Sequence, residues 1–336
     1  MNKKIGAIIG FGKLGLLHFS HLKNREDIEI KYIVEKDFLI SNILKKNFKD
    51  IEIINDYQNI NLSNVDFVYV TSPTNTHYEI INYFLLNKVA VFSEKPLSLN
   101  FDEAKKLHDL SKEKNILLYT GYMYFFYETF KFVYNLLKDK VLGEINFSYG
   151  EMYVSQILKK QKRSTWRFNK KTSGGGVLIT QSSHLIYLML LYFGDYEKCY
   201  GFIKSIYSEN NEDYSSLIIK SKNGTINTLN TSWSVENYRT PYISIKISGE
   251  NGTIYVTDDK VELFLKNESN NYKKGFSLFK RTDIFQPTSF NIAGSHYNEQ
   301  TIYFLKKLKD NQTCYNNLYL STQTQKIISD IYQINE

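Results

Sequence analysis

A chain of 336 residues exceeds what one ordinary hydrophobic core supports and predicts two domains, and its 42% apolar residues suffice to fill them. The net charge of +7 suits an anionic ligand, but the chain carries no nucleic-acid recognition helix or RNA-binding motif, so nucleic acid is not expected as a partner. The two cysteines, Cys199 and Cys314, allow at most one bridge and lack metal-ligand spacing. With no leader-like segment and no run of about 18 uncharged apolar residues, the expectation is a cytoplasmic protein with neither a metal nor a membrane span.

In chain order, strand-like apolar runs at Ile5–Ile9, Ile28–Val34, Ile51–Ile54, Asp66–Thr71, Val89–Ser93 and Ile116–Tyr119 alternate with helical patterns such as Asp37–Phe48, Thr76–Leu86 and Phe101–Lys114. Strict alternation predicts an α/β fold, a doubly wound parallel sheet with right-handed crossovers. Beyond about residue 121 the pattern changes. Val177–Phe193 reads as one long apolar helix, and period-two stretches follow in which Asn223-Gly224 and Asn251-Gly252 interrupt alternating apolar positions, the strongest short hairpin signal. Ile243, Ile245 and Ile247 would share one strand face. Amphipathic patterns at about Tyr297–Leu308 and Leu320–Ile334 close the chain as helices. The predicted division is 1–121, a Rossmann-type domain, and 122–336, an α+β domain.

After the first strand comes "GFGKLG", with Gly10, Gly12 and Gly15 in the spacing G-x-G-x-x-G. Gly10 permits the tight turn, Gly12 lets the backbone approach a pyrophosphate, and Gly15 allows the helix to pack closely on the strand. The helix N-terminus then offers free N–H groups to the anion. Glu35 ends the second strand, where a carboxylate binds a ribose diol and repels a 2′-phosphate, which favours NAD over NADP; Lys36 beside it pulls the other way. The loops "TSPTNTH" and "SEKP" follow the fourth and fifth strands, at the carboxyl ends where open α/β sheets bind ligands. The densest basic cluster, Lys159–Lys171, has seven basic residues around Trp166; it reads as a solvated loop or as a contact for an anionic small molecule.

These residues together resemble the Gfo/Idh/MocA oxidoreductase family, the glucose-fructose oxidoreductase and inositol dehydrogenase group. The shared features are the glycine turn with His18 after it, Ser72-Pro73-Thr74-Asn75-Thr76-His77 for "TPxxxH", Glu94-Lys95-Pro96 for "EKP", Trp166-Arg167, and Gly174 to His184 for "GGGxLxxxxxH". The resemblance runs over nearly the whole chain. It implies hydride transfer between NAD(P) and a carbinol carbon of a sugar, inositol or nucleotide sugar, and a second domain with an open, mostly antiparallel sheet that binds substrate and mediates homo-oligomer contacts, as a dimer or tetramer. It also implies a strained, cis-prone Lys95–Pro96 bond. The implied cofactor set is Gly10, Phe11, Gly12, Lys13, Leu14, Gly15, Glu35, Thr71, Pro73, Asn75, His77, Glu94 and Lys95.

Lys95 and His184 match the family's substrate-orienting and acid/base positions, and Trp166, Arg167, Thr180 and Tyr187 are the expected substrate contacts. A lone histidine on an apolar helix is ordinarily a satisfied core residue; the three glycines upstream, which let backbone approach a ligand, and the matched motif favour catalysis here. Thr180 lies four residues before it, on the same helical face. Two family carboxylates are missing: Thr180 stands where an Asp is usual, and Tyr187 where a second one is. A hydroxyl orients a substrate but exchanges no proton near neutral pH. The leading expectation is an NAD-dependent sugar or nucleotide-sugar dehydrogenase with an anionic group on its substrate. The alternatives are an NADPH-dependent reductase of a keto sugar or C=N bond, and a non-catalytic dinucleotide-binding partner or sensor.

Overall fold

The computed structural model describes residues 3–159, 169–209, 211–288 and 290–336. The chain divides into two units, Met1–Met123 with Thr288–Thr322, and Tyr124–Pro287 with Gln323–Glu336.

In the first unit, strands β1 (Lys4–Ile9), β2 (Ile28–Val34), β3 (Glu52–Ile54), β4 (Phe67–Val70), β5 (Ala90–Glu94) and β6 (Leu118–Gly121) form a six-stranded sheet in the order β3-β2-β1-β4-β5-β6. Every neighbouring pair is parallel. The helices between them are α1 (Lys13–Lys23), α2 (Phe38–Asn47), α3 (His77–Leu86) and α4 (Phe101–Lys114). The order reverses between β1 and β4, the switch point beside which such sheets take a dinucleotide. Near-continuous Val, Ile, Phe and Tyr runs fit strands covered on both faces: β4 is buried along its whole length.

The sequence division at 121/122 does not capture the return of residues 288–322 to this unit. Helix α9 (Ser295–Lys309, numbered after the second unit's helices) supplies the reason. Its Phe304 is fully buried with ring centroids 5.4 Å from Tyr69 and 5.6 Å from Phe92, while Tyr69 and Phe92 stack 4.2 Å apart. Phe304 thus covers the sheet face that Tyr69 of β4 and Phe92 of β5 present, and such pairing adds to what area burial alone supplies. The start of α10 (Tyr315–Ile334) continues the cover: Asn317 donates to the Thr120 carbonyl and accepts from the Thr120 N–H.

The second unit holds α5 (Glu128–Lys138), β7 (Ile145–Tyr153), a single turn α6 (Lys170–Ser173), a π-helical turn at Leu178–Ser182, α7 (Ser183–Phe193), β8 (Tyr196–Lys204), β9 (Tyr214–Ser221), β10 (Ile226–Ser232), β11 (Tyr242–Gly249), β12 (Gly252–Thr257), β13 (Lys260–Leu265), β14 (Gly275–Lys280) and a short α8 (Arg281–Ile284). The eight strands run β14-β13-β12-β11-β7-β10-β9-β8, all antiparallel except β7 with β10. Both Asn-Gly pairs sit at hairpin ends, β9 to β10 and β11 to β12. Ile243, Ile245 and Ile247 are fully buried, as their alternation requires. The helical run Lys170–Phe193 is apolar enough to span a bilayer, but its most apolar window is 83% buried inside the fold, as a core helix is.

Candidate active site

In the first unit the glycine turn is built as its spacing demands. Gly10 has φ +89°, and its N–H donates to the Val34 carbonyl at 2.8 Å. A Cβ on Gly15 would lie 2.1 Å from the Gly10 carbonyl oxygen, so only glycine lets α1 rest on the turn; a Cβ on Gly12 would meet nothing within 4 Å. The first turn of α1 carries no acidic residue and its N-cap Gly12 has no side chain to bond the free N–H groups, so they are available to an anion. Lys13 is exposed and Leu14 half-buried beside it, whereas Phe11 is buried.

Glu35 directly follows β2, with one carboxylate oxygen 2.8 Å from the Phe11 N–H and the other 2.8 Å from the Asp37 N–H. Thr71 also serves the turn, its hydroxyl donating to the Gly10 carbonyl at 2.6 Å. In the loop that follows, Pro73 is half-buried and Asn75 exposed. His77 is 1% exposed, with Nε2 2.9 Å from the Ser72 carbonyl oxygen and Nδ1 2.9 Å from that of Pro96. Burial pushes its pKa below the usual 6.5, opposed by those carbonyls and by Glu94. Its ring therefore joins two loops from behind. Glu94 is buried against His18, Nε2 to Oε1 2.7 Å, and Lys95 follows half-buried with a cis bond to Pro96.

In the second unit, Gly174 (φ +84°) ends α6 and Gly176 lies against Glu212: a Cβ there would be 2.1 Å from the Glu212 carbonyl oxygen. The Glu212 carboxylate, 6% exposed, accepts from the N–H groups of Gly176 at 2.8 Å and Leu178 at 3.0 Å and from the Tyr332 hydroxyl at 2.8 Å. Burial raises its pKa, and these donors work against that rise. One carboxylate thus holds the entry to the helix. The π-helical turn comes next, a form that recurs at functional sites, so Thr180 and His184 are not spaced by a regular α-helix. Ser182 is bonded to the hydroxyls of Ser215 and Thr231, which anchors the turn to β9 and β10. Thr180 donates its hydroxyl to the Gly176 carbonyl at 2.7 Å. His184 is 5% exposed with its ring 4.8 Å from Tyr124, edge to face, and Tyr187 is equally buried on α7. Trp166 and Arg167, with most of the basic cluster, lie outside the described residues.

Glu212 and the His18–Glu94 pair went unrecognised in the sequence. His18 and Glu94 both stand inside quoted motifs, but only the strand order brings them together; nothing around Glu212 marks it. Among the described residues no cluster of three His, Cys, Asp or Glu side chains could hold a metal.

The first unit is thus a dinucleotide-binding domain of the oxidoreductase type, with the turn, the acidic strand end and the ligand loops in the expected order. Family models identify it more closely: one described as "Oxidoreductase family, NAD-binding Rossmann fold" matches residues 5–122, and one described as "GFO/IDH/MocA C-terminal domain" matches residues 130–255. The chain belongs to the Gfo/Idh/MocA oxidoreductase family, and its first unit is an NAD-binding Rossmann domain. It is 33% identical over 145 residues to myo-inositol 2-dehydrogenase of Thermotoga maritima, which covers 41% of this chain and 42% of that one. It is 29% identical over 172 residues to 2,7-anhydro-N-acetylneuraminate hydratase of Escherichia coli, covering 50% and 44%. The chain thus spans less than half the length of these two curated relatives. A solved levoglucosan dehydrogenase in complex with NADH shares the fold with a TM-score of 0.87 at 17% identity, over 99% of this chain and 96% of that one.

Proposed function

We propose that this protein is an NAD-dependent dehydrogenase that oxidises a hydroxyl-bearing carbon of a sugar or nucleotide sugar. The observation that carries the reading is a glycine turn open at Gly12 and shaped for a pyrophosphate, in a chain that also presents Lys95 at a strand end and a buried imidazole, His184, on a braced helix. Bound NAD would supply the hydride acceptor, held by the turn, by Glu35 and by the loops ending at Asn75 and Lys95. By their family match, His184 is the residue for the hydroxyl proton, Lys95 the one that hydrogen-bonds the reacting oxygen and stabilises its developing negative charge, and Thr180 and Tyr187 orient the ring. The relatives named for inositol and levoglucosan agree with a polyhydroxylated substrate. The hydratase is named for a different, redox-neutral reaction on a sugar, which leaves no net reduced nicotinamide and would be detected by analysis of the sugar products.

Arg167 and its neighbouring lysines supply the contact for an anionic group on the substrate; an Arg167→Ala variant with unchanged KM at low salt would remove that contact. The protein works as a homo-oligomer, dimer or tetramer. Supporting this, the open face of the eight-stranded sheet carries Phe147, Tyr200, Phe202, Ile218, Phe264 and Phe276, all more than a third exposed, with Phe202 at 79%. A patch of this kind on a monomer is unusual. Light scattering that gives the monomer mass would reject it. The reductase alternative rests on Lys36, the sensor alternative on the missing carboxylates. A screen of sugars, sugar phosphates, uronic acids and nucleotide sugars, followed by reduced-nicotinamide absorbance, tests all three readings. Turnover with NADPH and a keto sugar would favour the reductase, and cofactor binding without any turnover the sensor.

A further inference from the structure

Lys95 sits between two buried imidazoles that come from different helices. On its N-terminal side, His18 of α1 places Nε2 2.7 Å from Glu94 Oε1, and the other oxygen of Glu94 accepts from the Lys95 backbone N–H at 3.3 Å. On its C-terminal side, His77 at the start of α3 places Nδ1 2.9 Å from the Pro96 carbonyl oxygen and Nε2 2.9 Å from the Ser72 carbonyl oxygen. His18 is 0% exposed and His77 1%, so a ligand in solution reaches neither ring.

A merely space-filling side chain would not need polar atoms here. The ring of His18 lies among Tyr69, Phe92 and Tyr297, at centroid distances of 5.2, 4.9 and 6.1 Å, where a leucine or phenylalanine would pack without a polar group to desolvate. Burying an imidazole in such a place is costly unless it is bonded, and both rings direct that bonding to the residues on either side of Lys95. A carbonyl oxygen only accepts, so a neutral His77 donates to one of its two carbonyls, and in the Nδ1–H tautomer that one is Pro96 beside Lys95.

We propose that His18 and His77 are positioning residues for Lys95: they clamp the backbone on both sides of it and so fix where its ammonium can reach. A lysine stem has four flexible carbons, so its head is placed no better than its Cα, and a displacement of about 1 Å at a reacting centre costs about 10²-fold. The importance of that placement rests on the dehydrogenase reading of Lys95; the clamp itself does not.

The test therefore reads Lys95 without turnover. The full-length protein is reductively methylated with a 13C label, and the Lys95 signal is assigned by its loss in Lys95→Arg. A single narrow signal is expected in the unmutated protein, broadened or split in His77→Ala and in His18→Ala, and narrow again in His77→Gln, whose amide restores a donor. NADH titrations on unmethylated samples should show about tenfold weaker binding in the alanine variants. Circular dichroism on the same samples establishes that they are folded. A Lys95 signal unchanged in both folded alanine variants overturns the proposal. Should alanine prevent folding, His77→Leu replaces it, and equally narrow signals in His77→Leu and His77→Gln also overturn it. An unmutated protein with a narrow Lys95 signal but no turnover on any sugar would count against the proposed activity and leave the clamp standing.

Discussion

The backbone N–H of Phe11 donates to Glu35 at 2.8 Å, so the carboxylate that follows β2 is pinned directly onto the glycine turn. Its second oxygen is bonded to the Asp37 N–H, which fixes its orientation from the other side. A carboxylate held at the end of β2 bonds a ribose diol and repels a 2′-phosphate. NAD(H) should therefore bind more tightly than NADP(H), and Glu35→Ser should shrink the ratio of the two affinities by about tenfold or more. Titration of both cofactors checks this; tighter binding of NADP(H) to the unmutated protein would show that Lys36 outweighs Glu35.

The glycines of the turn separate folding from binding. Gly15→Ala places a methyl 2.1 Å from the Gly10 carbonyl oxygen, a backbone atom that cannot swing aside, so it should lower the unfolding temperature markedly. Gly12→Ala meets no protein atom within 4 Å and should leave that temperature nearly unchanged while weakening cofactor binding. Thermal melts with and without NADH distinguish the two. If Gly12→Ala binds NADH normally, the pyrophosphate does not approach the turn.

For the chemistry, His184→Ala and Lys95→Ala should each lower kcat by about 10²-fold or more with NAD binding largely retained, the scale of general acid–base catalysis. Thr180→Val should cost much less, because a hydroxyl can orient but not exchange the proton. Steady-state rates on a substrate found by the screen decide. Near-normal kcat in His184→Ala beside an inactive Lys95→Ala would move the proton acceptor to Lys95 or Tyr187.

Acid should weaken the first unit through His21. Burial, and then neighbouring His18, lower its pKa from 6.5 to about 4, against the pull of the Ile292 carbonyl 3.1 Å away. The folded value lies below the unfolded one, so the unfolded chain takes up the proton first. The contribution is fully present above about pH 6.5 and is lost as pH falls toward 4, about 3 kcal/mol in all. The stability gap between the unmutated protein and His21→Phe should shrink over that range in urea titrations. A gap independent of pH would contradict the shift.

Much of the first unit was legible because its signals are local. The predicted strand Ile28–Val34 and helix Phe101–Lys114 coincide with the observed elements, and three glycines at fixed offsets define the turn on their own. What escaped depends on distant pairing. Phe304 belongs to the first sheet through aromatic contacts with residues that precede it in the chain by the whole length of Tyr124–Pro287, which no window of sequence contains. The parallel register of β7 with β10 is equally silent in two strands that both simply alternate. The apolar pattern of Val177–Phe193 correctly marked a helix but could not reveal its π-helical start, which is set by Glu212, Ser215 and Thr231 from other elements.

The late arrival of Phe304 also bears on how the chain is made. When β6 leaves the ribosome all six strands of the first sheet exist, yet the face formed by Tyr69 and Phe92 has only the His18 ring of α1 against it until the entire second sheet has been synthesised and α9 brings Phe304. At about 5–20 residues per second, a nascent Rossmann sheet waits about 10–40 s with its stacked aromatics only partly covered. During that interval apolar surface that α9 later buries is open to solvent, and a stop codon between β6 and α9 would leave a domain that has every strand of the first sheet but lacks part of its core.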